Sequence, residues 1–324
     1  MLILPHKLTT GIHCRVTLTK GRGDIVLAES KVHHNIITEK GLDSLANTPF
    51  NTYTAYCHVG TTTNTDDPLI TDTQLYAFFA STSNLNTVTT SVKGSPPFYG
   101  RRVKVFRFVA GTFSGQEITE VGFSNQAATG NLFSRSLVQL PFATAIAANV
   151  RSDEWLDVTY EFRLYPPYVT AGGVPTDEAG VISVNGLDHT YVIRPANVTD
   201  NTFWNAELAL GKFVAVGGVY VKSYGSAAVL GLVSNAPSSP SGADATTANS
   251  TVSESVYNNG EYARMLTIIL GPSACNATGG IGAIRFCTGM GTYQMSFNPV
   301  VPKTGLNTWA FRVLLVWNNY VAPE

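Results

Sequence analysis

The stretch WLDVTYEFRLY at 155–165 sorts its side chains by turns. Leu156, Val158, Tyr160, Phe162 and Leu164 fall on one side, and Asp157, Thr159, Glu161 and Arg163 on the other. Successive Cβ atoms of an extended chain point to opposite faces, so a period of two predicts a strand with one apolar face and one polar face. Wetting on one side only belongs to antiparallel sheets, because parallel sheets are covered by helices on both faces. Pro166 and Pro167 stop the ladder, since proline donates no backbone hydrogen bond.

The same period recurs on both sides of this strand. Ile12, Cys14, Val16 and Leu18 alternate with His13, Arg15, Thr17 and Thr19, and the glycines of Lys20-Gly21-Arg22-Gly23-Asp24 then predict a tight turn into a partner strand over 25–32. Further strands are predicted over 101–109, 117–124 and 132–138. In the second half they are predicted over 181–184, 190–194, 208–216, 218–222, 229–233, 262–270, 283–287 and 293–297, and over 309–317, where Trp309, Phe311, Val313, Leu315 and Trp317 share a face. Only two segments look helical. Thr38 is placed to cap a helix over 39–46 that carries Leu42 and Leu45, and a second helix is predicted near Thr71 with Leu75, Phe78 and Phe79.

Many short strands between turn residues predict an all-β protein built of antiparallel β-sandwiches, jelly-roll-like in plan. A chain of 324 residues exceeds what one core usually serves. Residues 168–180, with Ala171-Gly172-Gly173 and Pro175, read as a linker, which divides the chain into two tandem domains, 1–167 and 181–324. Each half closes on a long amphipathic strand, a weak internal repeat. The polar stretch at 234–260 reads as a long loop, either a mobile surface loop or a projecting contact loop.

Composition narrows the function. Charged residues make up 13% of the chain, against roughly 25% in ordinary globular proteins. Lys and Arg number 21 and Asp and Glu 22, a formal net charge of -1, which gives no global field to draw in nucleic acid or an anionic membrane. The longest stretch without charge, 223–243, is broken by Asn235, Pro237, Pro240 and Gly242, so no membrane span is predicted. The N-terminus lacks a basic leader followed by a long apolar run, which argues against a secretory signal.

Motifs that would carry chemistry are weak. Cys14, Cys57, Cys275 and Cys287 form no close pair of the kind a zinc site needs. They read as buried thiols, with a Cys275–Cys287 bridge as the alternative. Gly122-Phe123-Ser124-Asn125-Gln126 lacks the second glycine of a nucleophile elbow, and Gly211-Lys212-Phe213 lacks the spacing of a phosphate loop. His33 and His34 point to opposite faces of any strand and so cannot chelate one ion together. Asp66, Asp67 and Asp72 lie in a loop that reads as a turn, or less simply as a Ca²⁺ site. Asp153, Glu154, Asp157 and Glu161 carry nothing that marks an acid–base pair. Arg22-Gly23-Asp24 reads as hairpin-turn chemistry rather than as an adhesion motif. No catalytic residue, metal site or cofactor is predicted.

Several runs resemble virion proteins of tailed bacteriophages, chiefly tail-fibre and tail-associated structural proteins. They are HNIITEKGLDSLA (34–46), HVGTTTNTDDPLITDTQL (58–75), FRFVAGTFSGQEITEVGFSNQAATGNLFSRSLV (106–138), DEWLDVTYEFRLYPP (153–167) and GTYQMSFNPVVPKTGLNTWAFRVLLVWNN (291–319). The resemblance covers about two thirds of the chain and rests on structural motifs, while 200–280 matches no pattern. It implies a non-enzymatic virion component made in the host bacterial cytoplasm. Its place would be the tail, baseplate or tail fibre, or else the collar, a head decoration or a head fibre, and its partners other copies of itself and other virion structural proteins. Thr, Ser and Asn surfaces suit such contacts, since identical charged faces would repel one another. A module that binds a host receptor or surface glycan is the alternative from another class, with Trp204, Tyr220, Tyr224 and Tyr257 as its candidate interaction surface.

Overall fold

The structure, a computed structural model, describes residues 7–61, 66–83, 85–138, 149–166, 177–216, 219–234, 245–247, 250–274, 276 and 279–320. It is all-β and antiparallel, with two short helices. In chain order the elements begin β1 (Lys7–Arg22), β2 (Ile25–Glu29), β3 (His33–Ile37), α1 (Glu39–Ser44), α2 (Phe50–Tyr53), β4 (Tyr56–Gly60), β5 (Phe78–Thr82) and β6 (Leu85–Val92). They continue with β7 (Gly100–Phe108), β8 (Glu120–Ser124), β9 (Leu132–Leu137), β10 (Trp155–Tyr165), β11 (Glu178–Val184), β12 (Leu187–Ala196) and β13 (Val221–Tyr224). The last are β14 (Ala245–Thr247), β15 (Ser250–Glu254), β16 (Ala263–Leu270), β17 (Ile281–Thr288), β18 (Gly291–Val301) and β19 (Trp309–Asn319).

The chain forms two compact units. One gathers Met1–Gly11, Ser91–Gly100 and Leu164–Asn318, and the other Ile12–Thr90, Arg101–Arg163 and Asn319–Glu324. The body of each follows one half of the chain, while the first residues and 91–100 belong with the second half. Of the expected linker, 168–176 lies outside the described residues, and Glu178–Gly180 already belong to β11.

In the unit built around 12–163, strands run in the order β3-β9-β8-β4-β5, β1 pairs with β2 and β3, and β10 pairs with β1 and β7. Rings fill the space between β7 and β10 on one side and β8 and β9 on the other. Phe123 stacks on Tyr160 with centroids 3.7 Å apart, Phe106 lies 5.5 Å from Phe123, and Phe50 of α2 stacks on Phe162 at 4.5 Å. All five rings are fully buried, and burying one such side chain is worth about 1.5–3 kcal/mol. The apolar face of β10 is therefore the core face, as its alternation predicts. The polar face is drier than predicted: Asp157 is buried and takes both its oxygens to the Arg107 guanidinium at 2.7 Å.

Helix α1 forms where Thr38 predicts it, the threonine hydroxyl accepting from the Gly41 N–H at 3.1 Å. The second helix predicted near Thr71 does not form. Phe78 and Phe79 lie in β5, and the chain before them is held by the Glu120 carboxylate, which accepts from the N–H groups of Tyr76 and Ala77. The second helix is instead the four-residue α2, too short to show a period.

In the other unit, one set of strands runs β11-β12-β18-β17-β13-β14 and another β15-β16-β19. Rings of β19 meet rings of β17 and β18, with Phe311 6.2 Å from Phe286 and Trp309 5.4 Å from Phe297. The strands predicted at 208–216 and 229–233 are not ladders. Phe213 and Val216 make single bridges, and Gly231 is held by the Gln294 carboxamide, donating to Oε1 at 2.9 Å and accepting from Nε2 at 3.1 Å. The long loop expected over 234–260 contains β14 and β15, while 235–244, 248 and 249 lie outside the described residues.

Candidate functional site

The four aromatics expected to form an interaction surface are not gathered into one. Trp204 is fully buried and donates its indole N–H to the Ala196 carbonyl at 2.9 Å, and Tyr224 is also buried. A ring with no exposed face cannot stack on a sugar, so these two are core residues. Tyr220 lies edge-on to Phe213 at 6.3 Å, and Tyr257 stacks on Trp317 at 5.8 Å, so each half-buried ring has its own neighbour.

Several other residues singled out in the sequence have structural engagements. The Ser124 hydroxyl donates to the carbonyls of Gly130 and Asn131 at 3.1 and 3.2 Å and accepts from the Gln126 N–H, which fastens the loop after β8. Arg22 turns to Asp153 at 2.9 Å, and Trp155 donates its indole N–H to the Gly23 carbonyl at 2.8 Å, so the Arg-Gly-Asp turn is tied to the start of β10. Asp72 binds Arg135 at 2.7 Å, while Glu161 binds Arg163 at 2.8 Å. Among the described residues, no group of three or more His, Cys, Asp or Glu is gathered as a metal site requires. Nor is any helix there long and apolar enough to cross a membrane.

His33 and His34 do face opposite ways, the first buried and the second exposed. Residue periodicity missed a partner: His34 Nδ1 sits 3.1 Å from Nε2 of His13, whose Nδ1 is 3.0 Å from the Tyr320 carbonyl. The register of β3 on β1, in which Arg15 lies opposite His34, brings the rings together. Cys14, Cys57 and Cys287 are free buried thiols, so the bridge weighed for Cys275 and Cys287 does not form. Cys275 itself lies outside the described residues.

Burial sets the titration of these groups. It lowers His13, His33 and His58 below the ordinary 6.5, and it pushes the Cys14 thiol up to about 12. Burial, with help from Arg102, brings Lys104 down to about 7. Its ammonium is nonetheless well coordinated, donating to the Thr54 hydroxyl at 2.6 Å and to the carbonyls of Thr54 and Asn51 at 2.7 and 3.2 Å.

The sign of the resulting pH dependence follows. Below 6.5 the unfolded chain binds protons that the three folded histidines refuse, so stability falls with acid. Between about 7 and 10.5 the unfolded lysine is charged while folded Lys104 is not, so stability rises with pH. From 9.0 upward the unfolded chain gives up the thiol protons that buried Cys14, Cys57 and Cys287 keep when folded, which outweighs the one lysine, and stability falls again. The urea midpoint is therefore expected to climb from acid to a maximum near about pH 9, one proton contributing at most about 1.4 kcal/mol per pH unit. Lys104→Met is expected to flatten the climb above pH 7, and an unchanged slope would show that Lys104 titrates normally.

Two surface features remain. Ile25, Val26 and Leu27 of β2 are 67, 58 and 46% exposed, consecutive apolar residues on a strand that among the described residues pairs with β1 alone. Such an edge presents both open backbone groups and apolar side chains.

The second feature is a hollow of about 300 Å³ in the unit built around 164–318, between the β11–β12 turn and the loop from β18 to β19. The turn is Asn185-Gly186, with φ of 53 and 79°, the backbone of a two-residue type I′ hairpin. Val184-Asn185-Gly186-Leu187 carries that signal openly. The opposite wall is fixed by Lys303, buried at 4% exposure, whose ammonium donates to the carbonyls of Gly271, Pro272 and Thr304 and to the Asn276 carboxamide oxygen at 2.9–3.4 Å. Trp309 borders the hollow, 94% buried by its 6% exposure, and its indole N–H finds no acceptor among the described residues. Compared with protein-family models, with curated proteins and with solved structures, the chain finds no match in any of the three.

Proposed function

We propose that this chain is a non-enzymatic structural component of a tailed-phage virion, in the tail, baseplate or tail fibre, acting through subunit–subunit contacts. The observation that carries the reading is strand β2. Three consecutive exposed apolar residues on a strand that among the described residues is paired along one edge would be an aggregation hazard in a free monomer, and covering by a neighbouring subunit removes it. The low charge of the chain suits close packing of identical copies. The side chains that an enzyme reading would use, Ser124, Asp157 and Glu161, are engaged in holding the fold.

Val26→Lys places a charge on the exposed edge without touching the core. It is expected to reduce the sedimenting mass of the purified protein while leaving its unfolding midpoint within about 0.5 kcal/mol of wild type. In the particle, immunogold labelling is expected on the tail. Label on the head or neck would move the protein to the collar, head-decoration or head-fibre position, and particles unaltered by loss of the gene would end the structural reading.

A further inference from the structure

We propose that Arg285 and Lys222, neighbours across β17 and β13, hold a small oxyanion of the phosphate or sulfate type. The strand registers set four polar residues in one row across the sheet. Arg194 of β12 lies opposite Gln294 of β18, Gln294 opposite Arg285, and Arg285 opposite Lys222. Residues directly opposite point to the same face, so the row gathers three cations. Arg194 is answered by the Asp177 carboxylate, and it also donates to the Gly231 carbonyl at 3.0 Å. Gln294 is engaged by Gly231. Arg285 and Lys222 make no ion pair and no hydrogen bond among the described residues, although Arg285 is only 7% exposed. A guanidinium keeps its proton at any ordinary pH. Its charge is costly to bury unpaired, and a like charge directly opposite adds to the cost. A negative charge placed between the two removes both penalties.

The surroundings do not supply that charge. Tyr224 and Cys287 feel the field of Arg285, but burial raises both above their ordinary values of 10.0 and 9.0, so at neutral pH each keeps its proton. The Lys222 ammonium stands 5.8 Å from the ring centroid of Tyr224, a contact that leaves its charge unbalanced. Of the Arg285 nitrogens, Nε is sealed from solvent without an acceptor, so an ion meets the guanidinium at Nη1 and Nη2. Two N–H groups held in a planar fork fit two oxygens of one ion, and the ammonium beside them acts as a compact second charge. A tetrahedral dianion matches both, since it offers paired oxygens to the fork and a further oxygen to Lys222. With so little of Arg285 exposed, the site suits a free ion rather than a phosphate carried on a polymer. This chemistry stands whether or not the chain is a virion protein.

The test uses the full chain in a buffer free of phosphate and sulfate, with ionic strength held constant by sodium chloride. Inorganic phosphate is expected to bind saturably in titration calorimetry and to raise the Tm along the same curve, as an ion that binds only the folded chain must. Sulfate is expected to compete with it. Arg285→Met, which removes the fork, is expected to bind phosphate at least about tenfold more weakly, the value of a charged hydrogen bond. Lys222→Ala, at a half-buried position, is expected to weaken binding about fivefold while its Tm in chloride alone stays that of wild type. That second variant decides the matter if Arg285→Met does not fold. No saturable binding of either phosphate or sulfate to the wild-type chain, or wild-type phosphate affinity in Lys222→Ala, would overturn the assignment.

Discussion

Replacing Arg135 by methionine is expected to destabilise the protein by about 3–5 kcal/mol, the usual effect of breaking a buried ion pair and leaving its partner charged in the core. Arg135 is fully buried in β9. Its Nε donates to Glu120 at 3.0 Å and its NH1 to Asp72 at 2.7 Å, and the guanidinium lies 4.4 Å from the ring centroid of Tyr76. Glu120 is fully buried too, and it also accepts from the N–H groups of Tyr76 and Ala77 at 3.2 and 2.8 Å. One guanidinium thus binds two carboxylates, and through them it fixes the chain leading into β5. Urea denaturation reads the loss, and amide exchange at 72–77 is expected to rise with it. Adding Glu120→Gln to Arg135→Met removes the stranded charge and is expected to recover part of the stability, a non-additivity that neighbouring sites show. A single variant as stable as wild type would mean that the network does not hold this region.

Trp204→Ala is expected to destabilise its unit by about 3–5 kcal/mol, as deletion of a large buried ring does. The ring lies 6.1 Å from that of Tyr293, and Gly291 runs beneath it so closely that a Cβ there would come within 2.6 Å of the indole. Gly291 also has φ of +116°, which a side chain rarely adopts, so ring and glycine fit each other twice over. Thermal and urea unfolding measure the effect. A variant that kept wild-type stability and lost ligand binding would return Trp204 to the interaction surface that its residue type first suggested.

The two residues show why a reading from pattern stops where it does. Arg135 sits in the run LFSRSLV, whose strand is legible from its apolar and β-favouring residues, yet nothing in the run tells whether the arginine faces water. Its burial depends on Asp72, 63 residues away, and on Glu120, which the β8–β9 register brings alongside. Trp204 lies in a segment without alternation, so sequence offered its aromatic character and not its surroundings. Trp309 is the opposite case. Alternation with Phe311, Val313, Leu315 and Trp317 placed it on a buried face, and it is buried. That its buried N–H lacks an acceptor among the described residues is not legible in that alternation. The helix predicted near Thr71 failed for a related reason: of the three apolar residues at helical spacing, Phe78 and Phe79 belong to β5, and the N–H groups of Tyr76 and Ala77 just before them are held by a carboxylate 43 or more residues away.

Sequence alone determined what depends on neighbours along the chain. The period of two gave the strands and their core faces at 12–18, 156–164 and 309–317, Thr38 gave the cap of α1, and together they gave an all-β protein. Tertiary structure decided what depends on residues brought together from afar: that Asp157 on a polar face is paired and buried, that His34 meets His13, that Arg135 serves two carboxylates, and that the buried Trp309 N–H has no acceptor among the described residues. The division has a physical cause. Which way a side chain points is fixed by backbone geometry over two or three residues, whereas what it meets there is fixed by strand register and loop closure, to which residues tens of positions distant contribute equally.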